Sequence, residues 1–360
     1  MEKRPAISVS QLFCLLFISR MVVSMTYGNI LIGDSEIWDH LLSAPICAIL
    51  TFVILIPIYG LFVLDKKMNV LDNLRELCGK TGLCVVLVYI FYFLLISFHT
   101  VSVFEKFIFN AINPPISVPF LTVLLLFSSC YGAYKGIEAI SRTSGLIFVF
   151  TVFAMIFFLV SLVSSIEPIN YKPLMFEGTE SVFEGIKLLI SQSSCIPAMA
   201  VLLPMAKGDH KKGIVIWNAG VYLVFAALIM LVAGTMGDFA ETQLFPVYTA
   251  AGIGKFGSFK HLDSVYLGIW ISGIFIKLSL FLMLTGEGIK KIWGEQVRKK
   301  SIIVFGFLIS ATSFFSDKLE LLSSTFMTNF LMWFLILISV VIPLILVFIR
   351  LQKRKRGVYG

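Results

Sequence analysis

Four groups of polar and ionisable residues interrupt otherwise apolar stretches of this chain. Each is a place to expect binding chemistry, because a charge inside a bilayer must meet a partner, a cavity or a ligand. The first stretch carries Arg20 and then Ser24-Met25-Thr26-Tyr27-Gly28-Asn29. Gly followed by Asn predicts either a break, where freed backbone groups meet a ligand, or a plain helix end near the outer surface. A second stretch places His99, Ser102 and Lys106 at i, i+3 and i+7, with Glu105 alongside. His99 suits a proton acceptor or an interhelical hydrogen bond, and Glu105 and Lys106 are expected to reach the outer interface.

A third stretch carries Glu184, Lys187, the run Ser191-Gln192-Ser193-Ser194, and Pro197. Glu184, Lys187, Ser191 and Ser194 have helical spacing and predict one polar stripe. Four small or polar residues ahead of a proline predict an unwound segment lining a cavity, the alternative being hydrogen bonds between helices. The fourth stretch sets Trp270, Gly273 and Lys277 on one stripe. Lys277 is too deep to reach either surface easily, so it must pair, lose its proton or receive an anionic ligand group.

These residues need elements to hold them, and the composition says which. Of 360 residues, 58% are hydrophobic and only 14% charged, which excludes a soluble globular enzyme. The chain therefore reads as an all-α integral membrane protein forming one transmembrane domain. Ten apolar runs are long enough to be considered, at 7–32, 41–63, 83–109, 118–134, 144–166, 182–205, 214–235, 265–286, 302–315 and 325–349. They are continuous rather than alternating, which implies helices and not a barrel.

The charge pattern supports this count. With a cytoplasmic N-terminus, 21 of the 29 Lys and Arg fall on inner segments and 5 on outer ones. Both termini are then cytoplasmic, and the basic tail at 350–360 reads as a topology anchor. The net charge of +8 is thus a topology signal and predicts no nucleic-acid partner. Arg20 interrupts the first run and no small-residue cleavage site follows, so a retained helix is expected there, not a signal peptide.

Several motifs fail on context. Gly252-Ile253-Gly254-Lys255-Phe256-Gly257 has the spacing of a dinucleotide loop but sits in an outer loop with no preceding strand. The six cysteines contain no CxxC, and the four histidines are scattered, so no metal or cofactor is expected. An enzyme using His99 or Cys195 would lack a visible base and orienter, and a non-enzyme is the expectation.

If ten spans divide as five plus five, the first and sixth occupy equivalent positions, and both are predicted to be discontinuous. Interrupted segments at matching positions point to an inverted-repeat, LeuT-like transporter fold with its site at mid-membrane. Half-helix N-termini there suit a substrate carboxylate, and a small zwitterion such as an amino acid fits.

The order and spacing of other residues carry a resemblance. They are Lys172-Pro173 before Glu177-Gly178, Leu203-Pro204 with Lys211-Lys212 after it, Phe245-Pro246, Lys260-His261-Leu262-Asp263, Trp270, Gly288-Ile289-Lys290-Lys291 and the basic tail. Over nearly its whole length the chain resembles the B-subunit (GerAB) family of spore germination receptors, in the amino acid-polyamine-organocation superfamily. The resemblance implies a ten-helix subunit of the spore inner membrane. It would bind a small nutrient germinant and act with an A-type subunit and a lipoprotein C-type subunit.

The resemblance also places the ligand among the first, third, sixth and eighth helices. Carried to this sequence, that implies Thr26, Tyr27 and Gly28; Ile96 and His99; Ser191, Gln192, Ser194 and Cys195; and Lys277 and Phe281. The chain departs from the family pattern in having no Pro between Gly28 and Pro45, His261 beside Asp263 where Arg is usual, and Lys277 where a small or hydroxyl residue is usual. A proton-coupled amino-acid permease, with Lys277 or His99 as the coupling group, is the alternative reading.

Overall fold

An apolar segment in a bilayer must satisfy its own backbone N–H and C=O groups, and nearly every long run of this chain does so as a helix. The computed structural model describes residues 7–26, 37–175, 178–256, 259–260, 263–312, 314 and 325–355. The helices are α1 (Val9–Met25), α2 (His40–Leu64), α3 (Val70–Phe107, continued by a π turn at Ile108–Ile112), α4 (Val118–Lys135) and α5 (Ile137–Val163). There follow α6 (Glu180–Ser191), α7 (Cys195–Leu202), α8 (His210–Met236), the short helix α9 (Pro246–Ile253) and α10 (Asp263–Trp293). The chain closes with α11 (Glu295–Thr312), α12 (Thr325–Ile336), a π turn at Leu337–Val341 and α13 (Ile342–Lys355).

Among the described residues, eight segments are long and apolar enough to cross a membrane. The other two of the ten expected spans correspond to α1 and α11. The described part of the first is a 17-residue helix, and residues 27–36, which include the Gly28-Asn29 break point, lie outside the described residues. In α11 the first turns hold Glu295, Arg298, Lys299 and Lys300, which lowers its apolar content. Several helices also run past their apolar cores. α3 begins thirteen residues before the expected start at 83, because Asn69 and Asp72 form a reciprocal capping box that can start the helix among polar residues.

Glycines set two of the joints. α4 and α5 are separated only by Gly136, whose φ of +90° lets the chain reverse without a Cβ clash. Gly79, at φ +57°, kinks α3 and folds its first turns back, so that a Cβ on Gly82 would lie 1.9 Å from the Leu74 carbonyl oxygen. Backbone cannot move aside as a side chain can. Gly82→Ala is therefore expected to cost about 2–3 kcal/mol, read as a lowered melting temperature of the detergent-solubilised protein.

α1 and the broken sixth span sit at the centre. Thirteen α1 residues, Arg20 among them, and all eight of α7 are buried, whereas α5 turns Phe150 and Phe153 outward to lipid. A two-residue parallel ladder pairs Ile7–Ser8 with Ala206–Lys207 and ties the start of α1 to the segment after α7. α10 packs along α3, α11, α4 and α1, which makes it the post against which α1 is held.

The basic end of the bundle is closed by ion pairs. Lys291 pairs with Asp72, Arg350 reaches both Asp65 and Asn73, and Arg298 Nη1 lies 2.6 Å from Glu287 Oε1. These bonds join the ends of α2, α3, α10, α11 and α13. Residues 350–354 thus belong to a helix with a structural role, beyond the anchor expected from charge alone.

A candidate ligand site at the break in the sixth span

The sixth span breaks because its own side chains compete for its backbone. Ser191 Oγ donates to Leu188 O (2.8 Å) and Ser193 Oγ to Leu189 O (2.6 Å), while Pro197 brings no N–H to the turn that follows. α6 accordingly ends at Ser191 and α7 starts at Cys195. The last carbonyls of α6 carry the negative end of its dipole and need donors. Arg20, from α1, supplies them: Nη2 donates to Leu189 O (2.8 Å) and Nη1 to Gln192 O (3.1 Å).

The end of α1 is held from α10. Tyr266 OH donates to Met25 O, Trp270 Nε1 donates to Thr26 Oγ1 (3.0 Å), and Thr26 Oγ1 donates to Val22 O. Trp270 is itself fully buried, stacked on Phe104 at 5.9 Å and tilted against Phe107 at 4.2 Å between centroids. Gly273, one turn on, allows the close approach, since a Cβ there would sit 2.8 Å from Val22 Cγ2. Trp270→Phe keeps the aromatic stack and removes one donor. It is expected to cost about 1 kcal/mol, and much less in a Thr26→Ala background if that bond is the cause; equal costs in a double-mutant cycle would refute the assignment.

Between these ends lies a small cavity, with room for about one water molecule. Thr26, His99, Thr100, Gln192 and Lys277 give its polar wall, and Val22, Val23, Val103 and Ile274 its apolar one. Gln192 Nε2 and His99 Nε2 are 3.1 Å apart, which couples α3 to the break. Lys277 is 3% exposed, fourteen residues from the start of α10 and sixteen from its end, and it makes no hydrogen bond or ion pair with the described residues.

The expected site residues divide accordingly. Thr26, His99, Gln192 and Lys277 come together at the cavity, and Tyr27 and Gly28 lie outside the described residues. Ile96, Ser191, Ser194, Cys195 and Phe281 are buried outside its lining. Ile96 O accepts from Thr100 Oγ1 (2.7 Å), Cys195 Sγ donates to Leu16 O (3.4 Å), and Phe281 packs on Phe93 at 6.0 Å.

The single polar stripe expected along the sixth span does not form. Lys187 and Glu184 pair with each other at 2.6 Å in a partly exposed position, because an i, i+3 partner satisfies both charges locally. Nor does Glu105 reach an interface; it is 8% exposed and accepts from Thr122 Oγ1 (3.0 Å).

Sequence reasoning passed over Thr100, whose position one residue beyond His99 gave no periodic signal. It noticed Arg20 without a role, because the α6 carbonyls it serves are some 170 residues away.

Comparison with known proteins fits this geometry. The chain superposes over 94% of its length on a Na+-coupled sialic acid symporter in a substrate-bound outward-open state, covering 80% of that chain, with a TM-score of 0.62 and 13% identity. It also superposes over 94% of its length on MhsT in complex with L-phenylalanine, covering 98% of that chain, with a TM-score of 0.55 and 14% identity. Both show a LeuT-like transporter fold.

In sequence, it is 22% identical to spore germination protein KB of Bacillus subtilis (strain 168), over 82% of this chain and 81% of that protein. It is 24% identical to spore germination protein YndE of the same organism, over 62% of this chain and 63% of that protein. The spore permease model, described as spore germination protein, matches residues 6–321. This multi-pass membrane chain therefore belongs to the spore germination protein family of permeases.

Proposed function

We propose that the chain is the membrane-embedded sensing subunit of a spore germination receptor. It uses a LeuT-like fold to bind a small amino-acid-like nutrient at the cavity between α1, α3, α10 and the break that follows α6. The observation that carries this reading is the mid-bundle cavity at the break after Ser191, where Lys277, His99 and Gln192 converge in a chain of the germination family. The cavity is too small for a ligand as it stands, so binding must favour a second packing of the helices. A ligand shifts the population by as much as its affinities for the two packings differ. An A-type and a lipoprotein C-type subunit would read that shift, in the spore inner membrane, with both termini of this chain in the cytoplasm.

Spores lacking this chain are expected to lose release of their small-molecule stores in response to some nutrient mixtures. An unchanged response to every mixture would overturn the proposal. A second reading, a proton-coupled amino-acid permease, is favoured by one feature: Lys277, unpartnered among the described residues, could carry the exchanged proton. Reconstituted liposomes separate the two. Saturable binding of a labelled amino acid without accumulation supports the sensor, and accumulation driven by an imposed pH gradient supports the permease.

A further inference from the structure

The donors and acceptors around the cavity are unequal. A helix break normally frees carbonyls that can hold a ligand ammonium, but here four of the described carbonyls at the two helix ends already have side-chain donors. Val22 O accepts from Thr26, Met25 O from Tyr266, and Leu189 O and Gln192 O both from Arg20. No Asp or Glu lines the cavity among the described residues, and Glu105, on the helix that carries His99, is engaged by Thr122. The neutral oxygens of Gln192 and Thr100 remain, and neither balances a positive charge.

Against this stand two buried cations. Arg20 is behind the break, and Lys277, a group with three donors and no acceptor, is in the wall itself without a hydrogen-bond partner among the described residues. Among the described residues, a ligand ammonium brought here would meet like charge and no free anionic acceptor. A carboxylate would meet an ammonium in a low-dielectric site, where a charge-assisted bond is strong.

We infer that the cavity reads the carboxylate of its ligand and does not require the α-ammonium group, so that small monocarboxylates bind as amino acids do. This rests on the proposed reading of the cavity as the ligand site. Val22, Val103 and Ile274 would then line the ligand's short apolar chain.

The test uses the whole chain in lipid nanodiscs and measures binding of labelled L-alanine and L-valine. Propionate and 3-methylbutanoate are the competitors that lack the ammonium; ethylamine and isobutylamine lack the carboxylate. The carboxylates are expected to compete within about tenfold of the parent amino acid, and the amines to need more than about a hundredfold excess. Lys277→Gln should weaken amino acid and carboxylate together by about tenfold or more. The wild-type competition stands by itself if that variant fails to fold.

Competition by the amines and not by the carboxylates would overturn the inference, leaving the site reading intact provided His99→Ala still reduces amino-acid binding. Absence of saturable binding for both amino acids, or binding indifferent to both His99→Ala and Lys277→Gln, would overturn the site reading and the inference with it.

Discussion

Replacing Arg20 by alanine is expected to destabilise the protein by about 3 kcal/mol and to abolish ligand binding. The guanidinium makes two charge-assisted bonds, to Leu189 O and Gln192 O, each worth about 1.5–3 kcal/mol. Its removal leaves Gln192 O without its donor at the dipole-negative end of α6, and Leu189 O with only the Ser193 hydroxyl. Part of the loss is offset, because a charge no longer has to be held away from water. The loss of binding follows from geometry: Gln192, whose backbone Arg20 fixes, carries the side chain that meets His99.

Arg20→Lys should recover less than half of the stability, since one ammonium cannot imitate a planar fork spanning two carbonyls. Thermal melting in detergent with a parallel binding measurement tests both claims. A stability change below about 1 kcal/mol for Arg20→Ala would show that the break holds without its cap.

The second large effect has the opposite sign in stability. Lys277→Met is expected to stabilise the folded protein by about 2 kcal/mol while eliminating ligand-dependent germination. A lysine at the centre of a membrane helix costs about 2.5–3.5 kcal/mol on insertion scales, and in the fold Lys277 has no hydrogen bond or ion pair among the described residues to offset that cost. Methionine fills similar volume without the charge. A group that lowers stability and is nevertheless aimed at a cavity is best explained by function, the trade-off common to binding sites. A melting temperature lowered by Lys277→Met, or a normal germination response in spores carrying it, would count against this account.

Much of the helical frame was legible in the sequence, because membrane helices are specified by local composition. Eight segments of the described residues are long and apolar enough to span a bilayer, and the serine-rich run ahead of Pro197 showed where the sixth span breaks, since side-chain competition and a missing N–H are local effects. Boundaries were less legible. The capping box at Asn69 and Asp72 carries α3 well past its apolar core, and a hydropathy reading does not register a cap made by two polar residues. The helix α9 was missed altogether, since eight residues between two long helices are too few for a periodic signal.

The site was legible by residue type more than by membership. Depth in an apolar run marked His99, Gln192 and Lys277 as residues that needed a partner, and they meet at one cavity. The same reasoning put Glu184 and Lys187 on one polar stripe with Ser191 and Ser194, although they neutralise each other in a partly exposed position. Cys195 and Phe281, suggested by family resemblance, are buried outside the cavity's lining.

By itself, then, the amino-acid order determined a membrane-embedded helical chain, its family and the position of the break in its sixth span, because apolar length, charge asymmetry and backbone competition act over a few residues. Only the tertiary structure decided which polar groups would satisfy one another. Arg20 meets the carbonyls of α6 across about 170 residues of chain, and Trp270 meets Thr26 across about 240. Such pairings depend on how helices pack, and in a bilayer packing follows close fit and hydrogen bonding between distant segments, which no local pattern encodes.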